Sequence, residues 1–283
     1  MLAWISRTVL LPALALSTAF SIASDAPGES GAPGGGPRLK PDTLAGWGAY
    51  ASATEQRITR EVKSPRGFLA MDFAASATAD RKAVLAGSFV VNDMATTRPD
   101  GSSIEVPDAM VHHWRGAVLL PGARLDQVLS RLQAEVPGSG QEDILASSIL
   151  DRSADRLHVF LKVQRRRIVT VVYNTEHDVT FARYGATRAS SASTATKIAE
   201  LDQPNTPEER ELGPGADRGF LWRWNSYWRY EQVPGGVIAE CESISLSRGV
   251  PFGLGLIAGP IISSTARESM ERALVAVRAH FAH

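Results

Sequence analysis

Hydrophobic and polar positions alternate most sharply near the end of the chain, over GFLWRWNSYWRYEQVPGGVIAECESISLS (219–247). Successive side chains of a strand point to opposite faces, so Phe220, Trp222, Trp224, Ser226, Trp228 and Tyr230 are expected to share one face. Leu221, Arg223, Asn225, Tyr227, Arg229 and Glu231 take the other. On the returning strand Ala239, Cys241, Ser243, Ser245 and Ser247 fall together, opposite Ile238, Glu240, Glu242, Ile244 and Leu246. A two-residue loop at Pro234-Gly235 predicts the register: Trp228 across from Cys241, Trp224 from Ser245, Arg229 from Glu240, and Tyr227 beside Glu242. One face then sets bulky aromatics against small residues, and the other sets opposite charges side by side across the strands. Charges are costly to bury unless well paired, so the charged face is expected to point outward. With the sheet reversed, Arg223, Arg229, Glu240 and Glu242 would instead form a polar cavity lining.

Upstream, residues 44–60 predict a first helix, and GFLAMDF (67–73), AVLAGSFVVND (83–93) and MVHHWRGAVLL (110–120) read as strands. ARLDQVLSRLQ places Leu125, Val128, Leu129 and Leu132 on one helical stripe. DILASSILD, RLHVFLKVQ, RRIVTVVYNTEHDVTFARY and RASSASTATKIAEL continue the strands, followed by a polar loop over 202–217. A last helix is expected to start at a capping box, Thr265 with Glu268. Met270, Leu274, Val277 and Phe281 form its apolar stripe. The pattern predicts an α+β fold: about nine strands, largely hairpin-linked, in an antiparallel sheet large enough to curl, between an early helix and a long terminal one. The run VPFGLGLIAGPII (250–262) shows no clear helical period and reads as a mobile apolar lip at a pocket mouth, or as a membrane-touching loop.

Composition narrows the class. Lys+Arg and Asp+Glu are 30 each in 283 residues, so no global field draws the chain to nucleic acid. The first residues, MLAWISRTVLLPALALSTAFSIAS, hold one basic residue, Arg7, an apolar run over 8–20 and the small-x-small site Ser21-Ile22-Ala23. This is a secretory signal pattern, and export to the periplasm is expected. Residues 24–43 are rich in Gly, Pro and Ser and predict a flexible tether, leaving 44–283 as a single domain. Cys241 is the only cysteine, which rules out an intramolecular disulfide and suits a small buried side chain. His112 and His113 are adjacent and face opposite ways on a strand, and no zinc-type spacing or G-x-S-x-G elbow occurs. No catalytic residue, metal or cofactor is therefore assigned.

The order short helix, curled antiparallel sheet, long C-terminal helix resembles the helix-grip fold of the START/SRPBCC (Bet v 1-like) superfamily. VHHWRGAVLLPGARLDQVLSRL (111–132) resembles the strand, proline-bearing bend and helix that open such domains. ISLSRGVPFGLGLIAGPIISSTARESMERALVAVRAHF (244–281) resembles the last strand, apolar link and gripping helix. The likeness spans about residues 65–283 and carries no diagnostic short motif. It implies a cavity between sheet and terminal helix for a lipid, sterol, polyketide or other apolar molecule. By that resemblance the walls fall on Trp222, Trp224, Trp228, Ser243, Ser245, Met270, Leu274 and Val277, with Phe252 on the apolar link. The expected protein is an exported binder or carrier of an apolar small molecule, with transient membrane contact through 250–262. Two alternatives stay open: a cyclase- or hydrolase-like enzyme using an Arg/Glu pair in that cavity, and an envelope structural protein whose core is fully packed.

Overall fold

A proline at the first helical position and Asp42 in the first turn start helix α1, Pro41–Val62: proline has no N–H to leave unpaired there, and the carboxylate suits the positive end of the helix dipole. The computed structural model describes residues 39–135, 141–166, 170–249 and 255–281, except the side chains of 166 and 255–266. They lie within one compact unit, Gly34–His283. The signal segment and most of the tether fall outside the described residues. After α1 come a 3-10 turn at Ala70–Phe73 and helix α2 at Ala77–Leu85. Strands β1 (Val90–Asp93) and β2 (Ala109–Pro121) follow, then helix α3 (Leu125–Ala134). Strands β3 (Ile144–Arg152), β4 (Arg156–Arg166), β5 (Thr170–Arg183) and β6 (Arg188–Asp202) precede the two-residue β7 (Arg210–Glu211). Strands β8 (Arg223–Val233) and β9 (Gly236–Arg248) lead to helix α4 (Gly255–His280).

All nine strands form one antiparallel sheet in the order β1-β2-β9-β8-β6-β5-β4-β3, with β7 on β6. The long hairpin has the register its alternation predicts: Trp224 pairs with Ser245, Tyr227 with Glu242, Trp228 with Cys241 and Arg229 with Glu240. Its loop is Pro234-Gly235, where Gly235 takes the left-handed φ of 88° that glycine tolerates best. β2 closes against the other side of β9 along its whole length, from Ala109↔Arg248 to Pro121↔Gly236.

Helices cover both sides of these central strands. On the inner side α4 seats on β2, and Gly116 makes this possible. A Cβ there would meet Met270 Cγ at 2.6 Å and Leu274 Cδ1 at 2.8 Å. Met270, Leu274 and Phe281 join Val118, Leu120, Val128, Tyr230 and Ala239 in one apolar cluster. On the outer side Trp47 and Tyr50 of α1 pack with Trp222, Tyr227, Ile244 and Leu246. Phe68, Leu69, Met71 and Val84 pack there with Ala117 and Ile238.

Three expected elements differ. Residues 67–73 are not a strand. Phe68, Leu69 and Met71 are buried in and beside the 3-10 turn, a case where a short apolar run does not separate strand from helix. The 83–93 segment is the end of α2, a turn and then β1. Helix α4 begins at Gly255, ten residues before the expected capping box, so Thr265 lies inside it and most of the presumed lip is helix. Residues 250–254, including Phe252, fall outside the described residues.

Candidate functional site

The inner face of the central sheet is built from rows of residues that pair across the strands. One row runs Trp114, Ser243, Ser226, Ser193 and Val179, from β2 through β9, β8 and β6 to β5. Three adjacent serines thus floor a trough. Trp224 and Trp228, two residues to either side of Ser226 on β8, form its flanks. Trp114, Ser193, Trp224, Ser226, Trp228, Ser243 and Ser245 are each half-buried although they belong to interior strands.

Trp224 is held from several directions. Its indole Nε1 donates to Ser243 Oγ at 3.1 Å. The ring meets His177 edge-on at 5.1 Å between centroids, and the Arg165 guanidinium lies 5.7 Å from it. A β8 side chain touching β5 and β4 is a direct measure of the curl. Trp228 stacks on Tyr230, with planes 4° apart and centroids 6.1 Å apart.

Two histidines face the same side. His177 Nε2 lies 3.0 Å from Thr175 Oγ1 and its Nδ1 3.3 Å from Ser193 Oγ. His112 Nε2 lies 2.9 Å from Ser247 Oγ. Burial lowers both to about 4, with the His158 charge adding to the effect at His177, so both are neutral at pH 7.

The outer face carries the charged residues, and here the expectation of a solvated surface is corrected. Arg229, Glu240 and Glu242 are only 2%, 1% and 2% exposed, because α1 and the 3-10 turn cover them. Arg229 donates to Glu61 Oε2 at 2.6 Å and to the Phe68 carbonyl at 2.9 Å. Glu242 accepts from Arg57 of α1 and bonds His113 Nε2 at 2.8 Å. His113 Nδ1 in turn lies 2.8 Å from Tyr50 Oη. Glu240 accepts the backbone N–H groups of Ala70 and Met71. Burial still pushes Glu240 up to about 7 against the pull of Arg229 and Arg115. Burial pushes Glu242 the same way, but the His113 hydrogen bond and the Arg57, His113 and Arg229 charges outweigh it and hold its pKa down.

The residues expected at the site therefore separate. Trp224, Trp228, Ser243 and Ser245 share the inner face. Met270 and Leu274 are buried and Val277 partly so, packed at the closed end of that face. Trp222 is not with them: paired β8 starts at Arg223, so alternation stops short of it. Its indole bonds Asp217 at 2.9 Å and packs under α1. Arg223 is half-buried and bonds the Trp222 carbonyl, apart from the outer charges. Cys241 is buried opposite Trp228, and burial drives its thiol pKa well up. His112, Trp114, Arg165, Tyr173 and His177 were missed. Only their places in paired strands bring them together, although strict alternation on β2 and β5 could have flagged the two histidines. Among the described residues no group of three or more His, Cys, Asp or Glu is arranged to hold a metal.

No family model matches the chain, and no curated protein matches its sequence. Among solved structures it is similar to the STAR-related lipid transfer protein of Xanthomonas axonopodis, at 18% identity and TM-score 0.43, over 63% of this chain and 96% of that one. It is also similar to the lipid transfer and protein localization domain of human StarD13, at 9% identity and TM-score 0.40, over 74% and 97%. The Zhui aromatase/cyclase of Streptomyces sp. R1128 matches at 16% identity and TM-score 0.32, over 61% and 94%. Element order, one continuous antiparallel sheet and a terminal helix seated on β2 make this architecture a helix-grip α+β fold.

Proposed function

We propose that this chain is an exported binder or carrier that holds a largely apolar small molecule in the trough between the inner sheet face and α4. One observation carries the reading: the three-serine floor and its tryptophan flanks stay half-exposed in the middle of the sheet, while α1 and the 3-10 turn cover the other face of β2, β9 and β8. Interior strands normally pack to crystal density, and concave apolar walls with a few polar groups are the usual form of a ligand site. Burial of ligand area contributes roughly 25 cal/mol per Å², less the cost of immobilisation. The cyclase- or hydrolase-like alternative loses its residues, since Arg229, Glu240 and Glu242 lie under α1. Export to the periplasm rests on the pattern of residues 1–23, and membrane contact through 250–262 belongs to the same proposal.

Organic extraction of the purified protein should release an apolar molecule. The neutral fluorophore N-phenylnaphthylamine should bind the emptied protein, and Trp224→Ala should weaken it about tenfold while far-ultraviolet circular dichroism is kept. Failure to recover any molecule, no fluorophore binding, and unfolding of Trp224→Ala would together establish the packed structural protein instead.

A further inference from the structure

Tyr173 of β5 and Glu200 of β6 are direct cross-strand partners. Tyr173 shares the β5 face of Thr175 and His177, the residue that meets Trp224 edge-on. Arg165, beside the Trp224 ring, lies within electrostatic range of the Tyr173 phenol. Both partners are 2% exposed. Neither Tyr173 Oη nor Glu200 Oε1 has a hydrogen-bond partner among the described residues.

The charge of Glu200 is nonetheless balanced. Arg218 Nε stands 2.7 Å from Oε1 as an ion pair, and Oε2 accepts the Arg218 backbone N–H at 3.0 Å. Missing is a donor directed at the Oε1 lone pair. Burial, with the nearby Glu200 and Asp217 charges, pushes the Tyr173 phenol well up, so it keeps its proton and is a donor in need of an acceptor. Buried polar atoms left this way are rare and costly. An unused phenol donor and a carboxylate oxygen with a lone pair to spare, on cross-strand partners that share the face of His177, fit a single group able to do both.

We propose that Tyr173 and Glu200 receive one hydroxyl of the bound molecule, Tyr173 donating to its oxygen and the hydroxyl donating to Glu200 Oε1. The site rests on the reading of the inner trough as a ligand hollow, and it narrows the ligand to an apolar body bearing an alcohol or phenol. A carboxylate has no proton to donate to Glu200 Oε1, and an ether or alkane leaves at least one of the two atoms unpaired. Sites built around a hydroxyl discriminate strongly against analogues that lack it.

The test is displacement of N-phenylnaphthylamine from the purified full chain by dodecanol, by its methyl ether and by dodecanoate. Dodecanol should compete at about tenfold lower concentration than the ether and the carboxylate. Tyr173→Phe should erase that preference and melt no lower than the parent, because the lost hydroxyl bonds nothing among the described residues. Equal competition by alcohol and ether overturns the site while leaving the hollow intact, and this is also the result if a fixed water fills the position. A preference that survives Tyr173→Phe overturns it equally. No fluorophore binding at all removes the hollow and the site together.

Discussion

Strands β2, β9 and β8 present two faces to two helices, and the faces differ in what their coverings do. Under α1, side chains from helix and sheet meet charge to charge, and even Arg229 is removed from water. Under α4, the described half of the helix packs apolar groups at one end of the face. The Trp224–Ser226–Trp228 end keeps partial contact with solvent. Alternation in sequence thus assigns residues to faces, while the closing of a face depends on what a distant element brings to it. Buried ion pairs are poor sources of net stability, yet losing one partner is severe. The outer face is therefore intolerant of change and the inner face adaptable.

The sharpest way to break this contrast is to remove one partner from each side. Glu242→Ala strips the carboxylate from Arg57 and His113 and should lose about 3–5 kcal/mol in urea denaturation. Ser243→Ala, which removes only the acceptor of the Trp224 indole, should lose about 1 kcal/mol or less. Comparable losses would show that the inner face is as tightly packed as the outer.

His177 of the inner face and Glu240 of the outer respond to pH with opposite sign. Folded His177 titrates near 4 against an ordinary 6.5. Its contribution is complete above pH 6.5 and lost as pH falls through about 4, a change of about 3 kcal/mol. Folded Glu240 titrates near 7 against 4.5, so its contribution is complete below pH 4.5 and lost as pH rises through 7. Stability measured against pH should have a shallower acid limb in His177→Gln, with His112 and Glu242 supplying the remainder, and should lose the opposing slope in Glu240→Gln. Unaltered profiles would refute both assignments.

A smaller effect tests the closed end of the inner face. Gly116→Ala drives a methyl toward Met270 and Leu274 and should cost about 1–3 kcal/mol by overpacking. No loss would mean that α4 sits loosely there as well.

The long hairpin was legible because its loop residues leave little choice of register: Pro234-Gly235 sets every pair from Val233↔Gly236 to Arg223↔Leu246. The direction of the charged face was not. Arg57 and Glu61, which neutralise it, lie some 170 residues before Arg229, at |i−j| of 168 for Glu61, and nothing local marks them as its partners. The segment 67–73 misled for a related reason. Its apolar residues are buried as a strand's would be, but its backbone N–H groups at Ala70 and Met71 go to the Glu240 carboxylate instead of a neighbouring strand. At the inner site the tryptophans stood out in composition. Tyr173 and Glu200 did not, since their unused atoms exist only once β5 and β6 pair.

The clasp of α1 on the outer face also decides where the folding unit ends. Trimming the chain to its nine strands and terminal helix would take away Arg57, Glu61, the Phe68 carbonyl and the Ala70 and Met71 amides in one stroke. Glu240, Glu242 and Arg229 would then face water or one another with few of their counterparts. The smallest autonomous piece of this protein is set by electroneutrality beneath its first helix, and it reaches well beyond the outline of the sheet.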